Sequence, residues 1–185
     1  MAKFESSMEI LMDLEFSSSR NALHYNPTEG GYTFMGIYQV AHPSWKGWKI
    51  VEKTLKGCDN SIKEASEILY NNDKLVTMVG DFYRREFYAK AKLSHLKSQN
   101  TANEIFVFST NAGIRAAVKA AQEIVGTTVD GIIGAITIKA LNEFDEEVFS
   151  REYDLLEQRH YARLIARNPA FKVYGRGWKN RSLAV

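Results

Sequence analysis

Residues 29–37 read EGGYTFMGI, and the reading of this stretch decides the fold. It holds a carboxylate, two adjacent glycines, a threonine and a closing Gly-Ile pair. Glycine reaches backbone angles closed to other residues, and Asn26-Pro27 just upstream marks a further tight turn. Tyr32, Thr33 and Phe34 favour extended backbone. The stretch therefore predicts a small β-hairpin near residues 30–38. Such a hairpin can be purely structural. It can also line a groove, since glycines let the backbone lie close to a sugar chain while Trp and Tyr offer stacking faces.

Outward from the hairpin, the chain reads as helix. Phe4, Met8, Leu11 and Met12 recur at helical spacing over residues 3–16, and the run SSSRN after Phe16 stops that helix because Ser and Asn side chains compete for backbone hydrogen bonds. Residues 46–57 form a short helix. Residues 61–72 form another, with Ser61 as N-cap and Glu64 three residues on in a capping box. Residues 73–97 continue as helix, with a break near Gly80. The segment 101–126 (TANEIFVFSTNAGIRAAVKAAQEIVG) is apolar on nearly all sides before Asn111, which predicts a buried helix ended by Gly126. A turn at Asp130-Gly131 leads to a helix ending near Phe144. Residues 147–168 make a long amphipathic helix stopped by Asn168-Pro169. The expected fold is mainly α, one domain over residues 1–185, with the one small β element.

Composition narrows the function. Of 185 residues, 45 % are hydrophobic and 12 % aromatic, enough for a real core. A net charge of +2 is too weak to argue for nucleic acid, though it suits contact with an anionic polymer such as a cell wall. Cys58 is the sole cysteine, so no intramolecular disulfide forms, and it reads as an incidental loop thiol. The N-terminus carries four acids in its first sixteen residues and no long apolar run. The expectation is synthesis in the cytoplasm without a signal peptide and without stable membrane insertion.

The chemistry narrows by elimination. His24, His42, His95 and His160 form no helical metal-binding pair, and TVDGIIG lacks the oxygen ladder of a calcium loop, so no metal and no cofactor is expected. There is no Gly-x-Ser-x-Gly elbow, phosphate-binding loop or dinucleotide fingerprint. Carboxylate chemistry remains. An acid at a helix end, shielded by Leu14 and Phe16, is suited to donating a proton in glycosidic-bond cleavage, with a second polar group opposite. A solvated Glu beside a structural hairpin is the alternative.

Several segments add a resemblance. GGYTFMGI resembles the Gly-Gly-x-Thr-x-x-Gly-Ile element of the glycoside hydrolase family 108 lysozymes, which are N-acetylmuramidases of phage endolysins and bacterial relatives. DFYRREFY, FSTNAG, AAVKAAQ, VDGIIGAITIKAL, RHYARL and GWKNR look like the second half of the same proteins, often named a predicted peptidoglycan-binding region. The resemblance runs over about residues 4–181, in the family's order and spacing. It implies a lysozyme-like single domain, with residues 1–95 as the catalytic half and 96–185 as the helical half. It implies hydrolysis of the β-1,4 bond between N-acetylmuramic acid and N-acetylglucosamine in peptidoglycan. It further implies a monomeric endolysin, released to the wall in the periplasm by a holin-type pore.

The resemblance also assigns residues. In the family, a Glu-Gly-Gly motif near the end of the first helix carries the catalytic acid, and an Asp-Pro-Gly-Gly-x-Thr element follows. Glu29-Gly30-Gly31 imitates the first motif, but Thr33, Gly36 and Ile37 follow at the spacing of the second. The acid then falls on Glu15, which is followed by Phe16-Ser17 in place of two glycines. Glu29 becomes the second carboxylate or a groove-rim residue, with the role of acid as its alternative. Thr33 places the attacking water or orients the substrate. Tyr83 and Tyr88 either stack on a sugar or pack in the core. Asn111 is either a structural clamp or a donor to an acetamido group. Trp45 and Trp48 are rim aromatics or packing residues. Asp130 reads as a turn and N-cap residue and Gln122 as a structural hydrogen-bonder. Trp178, Asn180 and Arg181 read as anchors of the C-terminus.

Overall fold

The computed structural model describes residues 1–16, 18–27 and 30–174, the last two of these without their side chains. Glu29 and the tail bearing Trp178, Asn180 and Arg181 lie outside the described residues. Eight α-helices and three short strands are present among the described residues. The mainly α class and the small β element both match the expectation. By their contacts, the residues fall into two compact units, Leu11–Tyr83 and Met1–Ile10 with Arg84–Val185.

The first unit holds the sheet. Strands β1 (Leu23–Asn26), β2 (Gly31–Phe34) and β3 (Ile37–Tyr38) pair antiparallel in that order. Because side chains alternate across a strand, the register sorts them cleanly. Leu23, Phe34 and Ile37 are cross-strand partners and all are buried. His24, Thr33 and Tyr38 are partners on the opposite face. Met35 and Gly36 join β2 to β3 with φ of 43° and 76°, the two left-handed residues of a tight hairpin turn.

Helix α2 (Trp48–Gly57) buries Trp48, Val51 and Leu55 at helical spacing. Trp45 and Trp48 are both buried, and the Trp48 indole donates to the His42 carbonyl at 2.9 Å, so these rings pack rather than line a rim. In α3 (Ile62–Tyr70), the Ser61 side chain accepts from the Glu64 N–H at 3.4 Å, while the Ser61 N–H goes to the Cys58 carbonyl. Only the first half of the expected capping box is therefore formed. Buried Ser66 of α3 accepts from the Leu23 N–H at 2.9 Å and donates to the Ser19 carbonyl, pinning β1 and the preceding turn. Cys58 is buried at the end of α2, and burial pushes its thiol pKa up.

Two helix boundaries differ from the sequence reading. Helix α4 (Asp73–Tyr83) runs through Gly80 without a break. The change comes at Arg84–Tyr88, a wider π-type turn. There Arg84 pairs with Glu5 at 2.7 Å and lies over the Phe4 ring, and Tyr88 packs edge-on against the same ring. These tertiary contacts outweigh the helix continuity that local propensity favours. The expected single helix over 101–126 is two, α5 (Gln99–Ala112) and α6 (Ile114–Ile124). Gly113, with φ of 85°, divides them. Helix α5 is buried on every side from Thr101 to Ser109, as its composition required.

Helix α7 (Ala135–Glu143) follows the Asp130 turn, and α8 (Glu146–Arg167) ends at Asn168. Gln122 of α6 is the organiser of that turn. Its amide donates to Asp130, to the Ile132 carbonyl and to Thr137, and its oxygen accepts from the Gly131 N–H at 2.8 Å. Asp130 is a turn residue, but the N-cap of α7 is Gly134.

The hairpin turn yields a test. A methyl group at Gly36 would sit 2.3 Å from the Tyr83 hydroxyl oxygen, at a φ that disfavours any side chain. Gly30 also has a left-handed φ (69°), but nothing lies within 4 Å of a methyl group there. Gly36→Ala is therefore expected to cost about 2–3 kcal/mol and Gly30→Ala about 1 kcal/mol, read by urea denaturation. Equal losses would show that backbone strain alone, and not the close approach of Tyr83, sets the requirement for glycine.

Candidate functional site

Glu15, the acid expected from the sequence, stands at the end of α1 (Phe4–Glu15). Glu15 is the last residue of the helix and is exposed. Phe16 extends the helical hydrogen bonding by one, its N–H donating to the Met12 carbonyl at 2.8 Å, and its ring is buried. That ring reaches the hairpin turn, since its Cζ would lie 3.3 Å from a methyl group at Gly36. Burial of Phe16 against the turn thus fixes Glu15, one residue earlier, at the solvent edge of the same structure. Leu14 on the other side is half-buried.

Tyr83 completes this frame from α4. It is buried, and its hydroxyl donates to the Met35 carbonyl at 2.9 Å. Burial raises its pKa far above the ordinary phenol value. The ring therefore clamps the β2–β3 turn and offers little face for stacking. Thr33 stands half-exposed in the middle of β2, with His24 and Tyr38 directly across on either side. His24 is exposed. It was not singled out in the sequence, although the alternation of β1 gives the signal: if Leu23 faces the core, His24 faces away with Thr33.

Glu15, Thr33 and Tyr83 share the unit Leu11–Tyr83, whereas Tyr88 and Asn111 belong to the other. Tyr88 is buried edge-on against Phe4 and Phe106, with its hydroxyl unpartnered among the described residues. Asn111, near the end of α5, is exposed and donates to the Tyr161 hydroxyl at 2.8 Å. It ties α5 to α8. Glu29 lies outside the described residues.

Comparison with known proteins places this geometry. Residues 24–113 match the family model described as glycosyl hydrolase 108, and residues 116–183 match the one described as predicted peptidoglycan domain. The chain thus carries a glycosyl hydrolase 108 domain followed by a predicted peptidoglycan domain. These matches support a glycoside hydrolase acting on peptidoglycan. DFYRREFY and FSTNAG, read above with the second half, fall within the hydrolase match, and Glu15 precedes it. The solved structure of Brucella abortus SagA is similar in fold, with 22 % identity and a TM-score of 0.64 over 97 % of this chain and 89 % of that one. No curated protein sequence matches this chain.

A second concentration of titratable groups lies away from Glu15. Glu104 of α5 and Glu157 of α8 are almost fully buried, and Asp154 is half-buried. Glu104 accepts from the Ser150 hydroxyl, and one oxygen of Glu157 has no partner among the described residues. Burial pushes Glu104 up to about 8 and Glu157 up to about 9, with repulsion from Asp154 adding to the first and from Glu104 and Asp154 to the second. Burial likewise lifts Asp154 to about 6. Uncharged carboxyls are the form that this packing admits.

Each group binds its proton more tightly folded than unfolded, so the stabilisation is complete below the unfolded value of 4.5 and is lost as pH rises through about 8 to 9. The melting temperature is expected to fall steadily between about pH 5 and pH 9, and Glu157→Gln to flatten that fall, in thermal scans of both proteins. Parallel slopes would mean that Glu157 is not a carrier of the pH dependence.

Proposed function

We propose that this chain is an endolysin-type lysozyme, hydrolysing the β-1,4 bond between N-acetylmuramic acid and N-acetylglucosamine, with Glu15 as the general acid. The observation that carries the reading is the placement of Glu15: an acid at the end of α1, exposed beside an apolar residue packed on a Gly-rich hairpin. Glycoside cleavage needs a proton donor at the leaving oxygen and a polar group on the opposite side to handle water or the developing cation. Thr33, on the exposed face of β2, takes the second role, and Glu29 is proposed as the accompanying carboxylate. Tyr83 supports the site by holding the 35–36 turn. Tyr88 and Asn111 are proposed to support sugar binding from the helical half, Asn111 from an exposed position near the end of α5.

The wider role is proposed with it. The protein acts as a monomer on the wall, made in the bacterial cytoplasm and released through a partner pore. No described helix is long and apolar enough to cross a membrane, which agrees with release by another component. One observation favours a second reading, a non-catalytic peptidoglycan binder on the same fold. The residues after Glu15 are Phe16-Ser17 rather than glycines, and Glu15 falls outside the hydrolase match.

Reducing-end release from purified peptidoglycan separates these. Glu15→Gln is expected to lose about 10²–10⁴-fold in rate, the contribution of general acid catalysis, with its circular dichroism unchanged. Thr33→Ala is expected to lose about tenfold, the equivalent of one hydrogen bond to water or substrate. A larger loss in Glu29→Gln than in Glu15→Gln would move the acid to the hairpin. A wild type that sediments with sacculi yet releases no reducing ends would establish the binder.

A further inference from the structure

Within residues 116–183, helices α6 and α8 and the end of α7 frame a pocket of about 270 Å³. Its lining is Glu123, Ile124, Phe144, Glu152, Leu156 and Arg159. Positions 152, 156 and 159 lie on one face of α8, following the helical repeat, and Glu123-Ile124 close the end of α6. Ile124, Phe144 and Leu156 are half-buried, whereas Glu123, Glu152 and Arg159 are exposed. The result is an apolar floor with two carboxylates and one guanidinium around it. Glu152 also pairs loosely with Arg151 at 3.7 Å, an exposed contact that a stronger cation can displace.

This chemistry is poorly matched to a neutral sugar. Glycan sites present open aromatic faces and amide donors, whereas this lining has no side-chain amide and its one ring, Phe144, is half-buried in the floor. It is matched to a small zwitterion with short alkyl groups. A cation would sit between Glu123 and Glu152, a carboxylate would meet the planar fork of Arg159, and methyl groups would cover the floor. Peptidoglycan carries such a group in its stem peptide, which has alanine methyls, free carboxylates and the amine of its diamino residue. We infer that this pocket binds the stem peptide of peptidoglycan, so that the helical half reads the peptide rather than the glycan strand. The inference rests on the reading of peptidoglycan as substrate and extends it to a second part of that polymer.

The test uses the full chain and a free stem tetrapeptide containing a diamino residue, titrated by calorimetry, with peptide-free glycan strands as the contrasting probe. Wild type is expected to bind the tetrapeptide. Arg159→Gln and Glu123→Gln are each expected to weaken it about tenfold, as loss of one charge-assisted hydrogen bond does. Both changes are at exposed positions, and circular dichroism checks that they fold. Cleavage of peptide-free glycan is expected to be the same in both variants as in wild type. No tetrapeptide binding by wild type, or binding that neither variant weakens, overturns the inference. A wild type that cleaves no glycan but binds the tetrapeptide through Arg159 leaves this site standing and removes only the catalytic reading.

Discussion

Around the hairpin, the geometry depends on one close approach. The Tyr83 hydroxyl donates to the Met35 carbonyl, and the space that this contact leaves at residue 36 admits only a hydrogen. Phe16 enters the same space from the end of α1. Three distant parts of the sequence therefore meet at one glycine. Helix α1 cannot shift its last turn without moving Phe16, and the hairpin cannot shift without breaking the bond to Tyr83. The consequence for chemistry is positional. An exposed carboxylate on a frayed helix end would wander, whereas Glu15 is held next to a buried ring. Preorganisation of this kind is what the proposed role of Glu15 as a proton donor requires.

The other unit is organised by burial of a different sort. Helix α5 is enclosed on all sides through most of its length, so its polar residues must find partners inside. Asn103 accepts from Ser7, Glu104 from Ser150, and Ser109 turns back on its own helix. Tyr153, fully buried in α8, donates to the Ala117 carbonyl of α6. Charge is what this interior tolerates least, and its carboxyls respond by holding protons. Charged groups are instead exposed at the pocket between α6 and α8. The same helices thus present a neutral inner face and a charged outer one.

Much of this was legible beforehand. Apolar spacing located α1 and α8, because a helix that packs on one side must repeat at 3.6 residues, while the Ser61 cap located α3 and the Asp130-Gly131 turn α7. The glycines of 30–36 announced the hairpin, since left-handed backbone is costly for anything else. The unbroken apolar run before Asn111 announced a buried helix. The misplaced boundaries have a common cause. Gly80 read as a break but lies within α4, while Gly113, inside the single helix expected over 101–126, divides two helices at a φ of 85°. Local propensity is identical for both, and only the backbone conformation each adopts in the folded chain distinguishes them. His24 was passed over for a similar reason: its neighbours Thr33 and Tyr38 come from other strands.

The sequence by itself determined the mainly α class, the small β element, the absence of metal-binding spacing and the candidate acids. These depend on residue type and on repeats within one segment. Tertiary structure alone decided that Tyr83, Trp45 and Trp48 pack inside and that Asn111 bonds Tyr161. It alone decided which carboxyls are buried and which ring a pocket. Such outcomes depend on which surfaces meet across tens of residues, and a side chain's type does not encode its distant neighbour. A tyrosine is equally suited to stack on a sugar or to clamp a turn. Its choice is made by the 2.9 Å bond it finds when the chain closes.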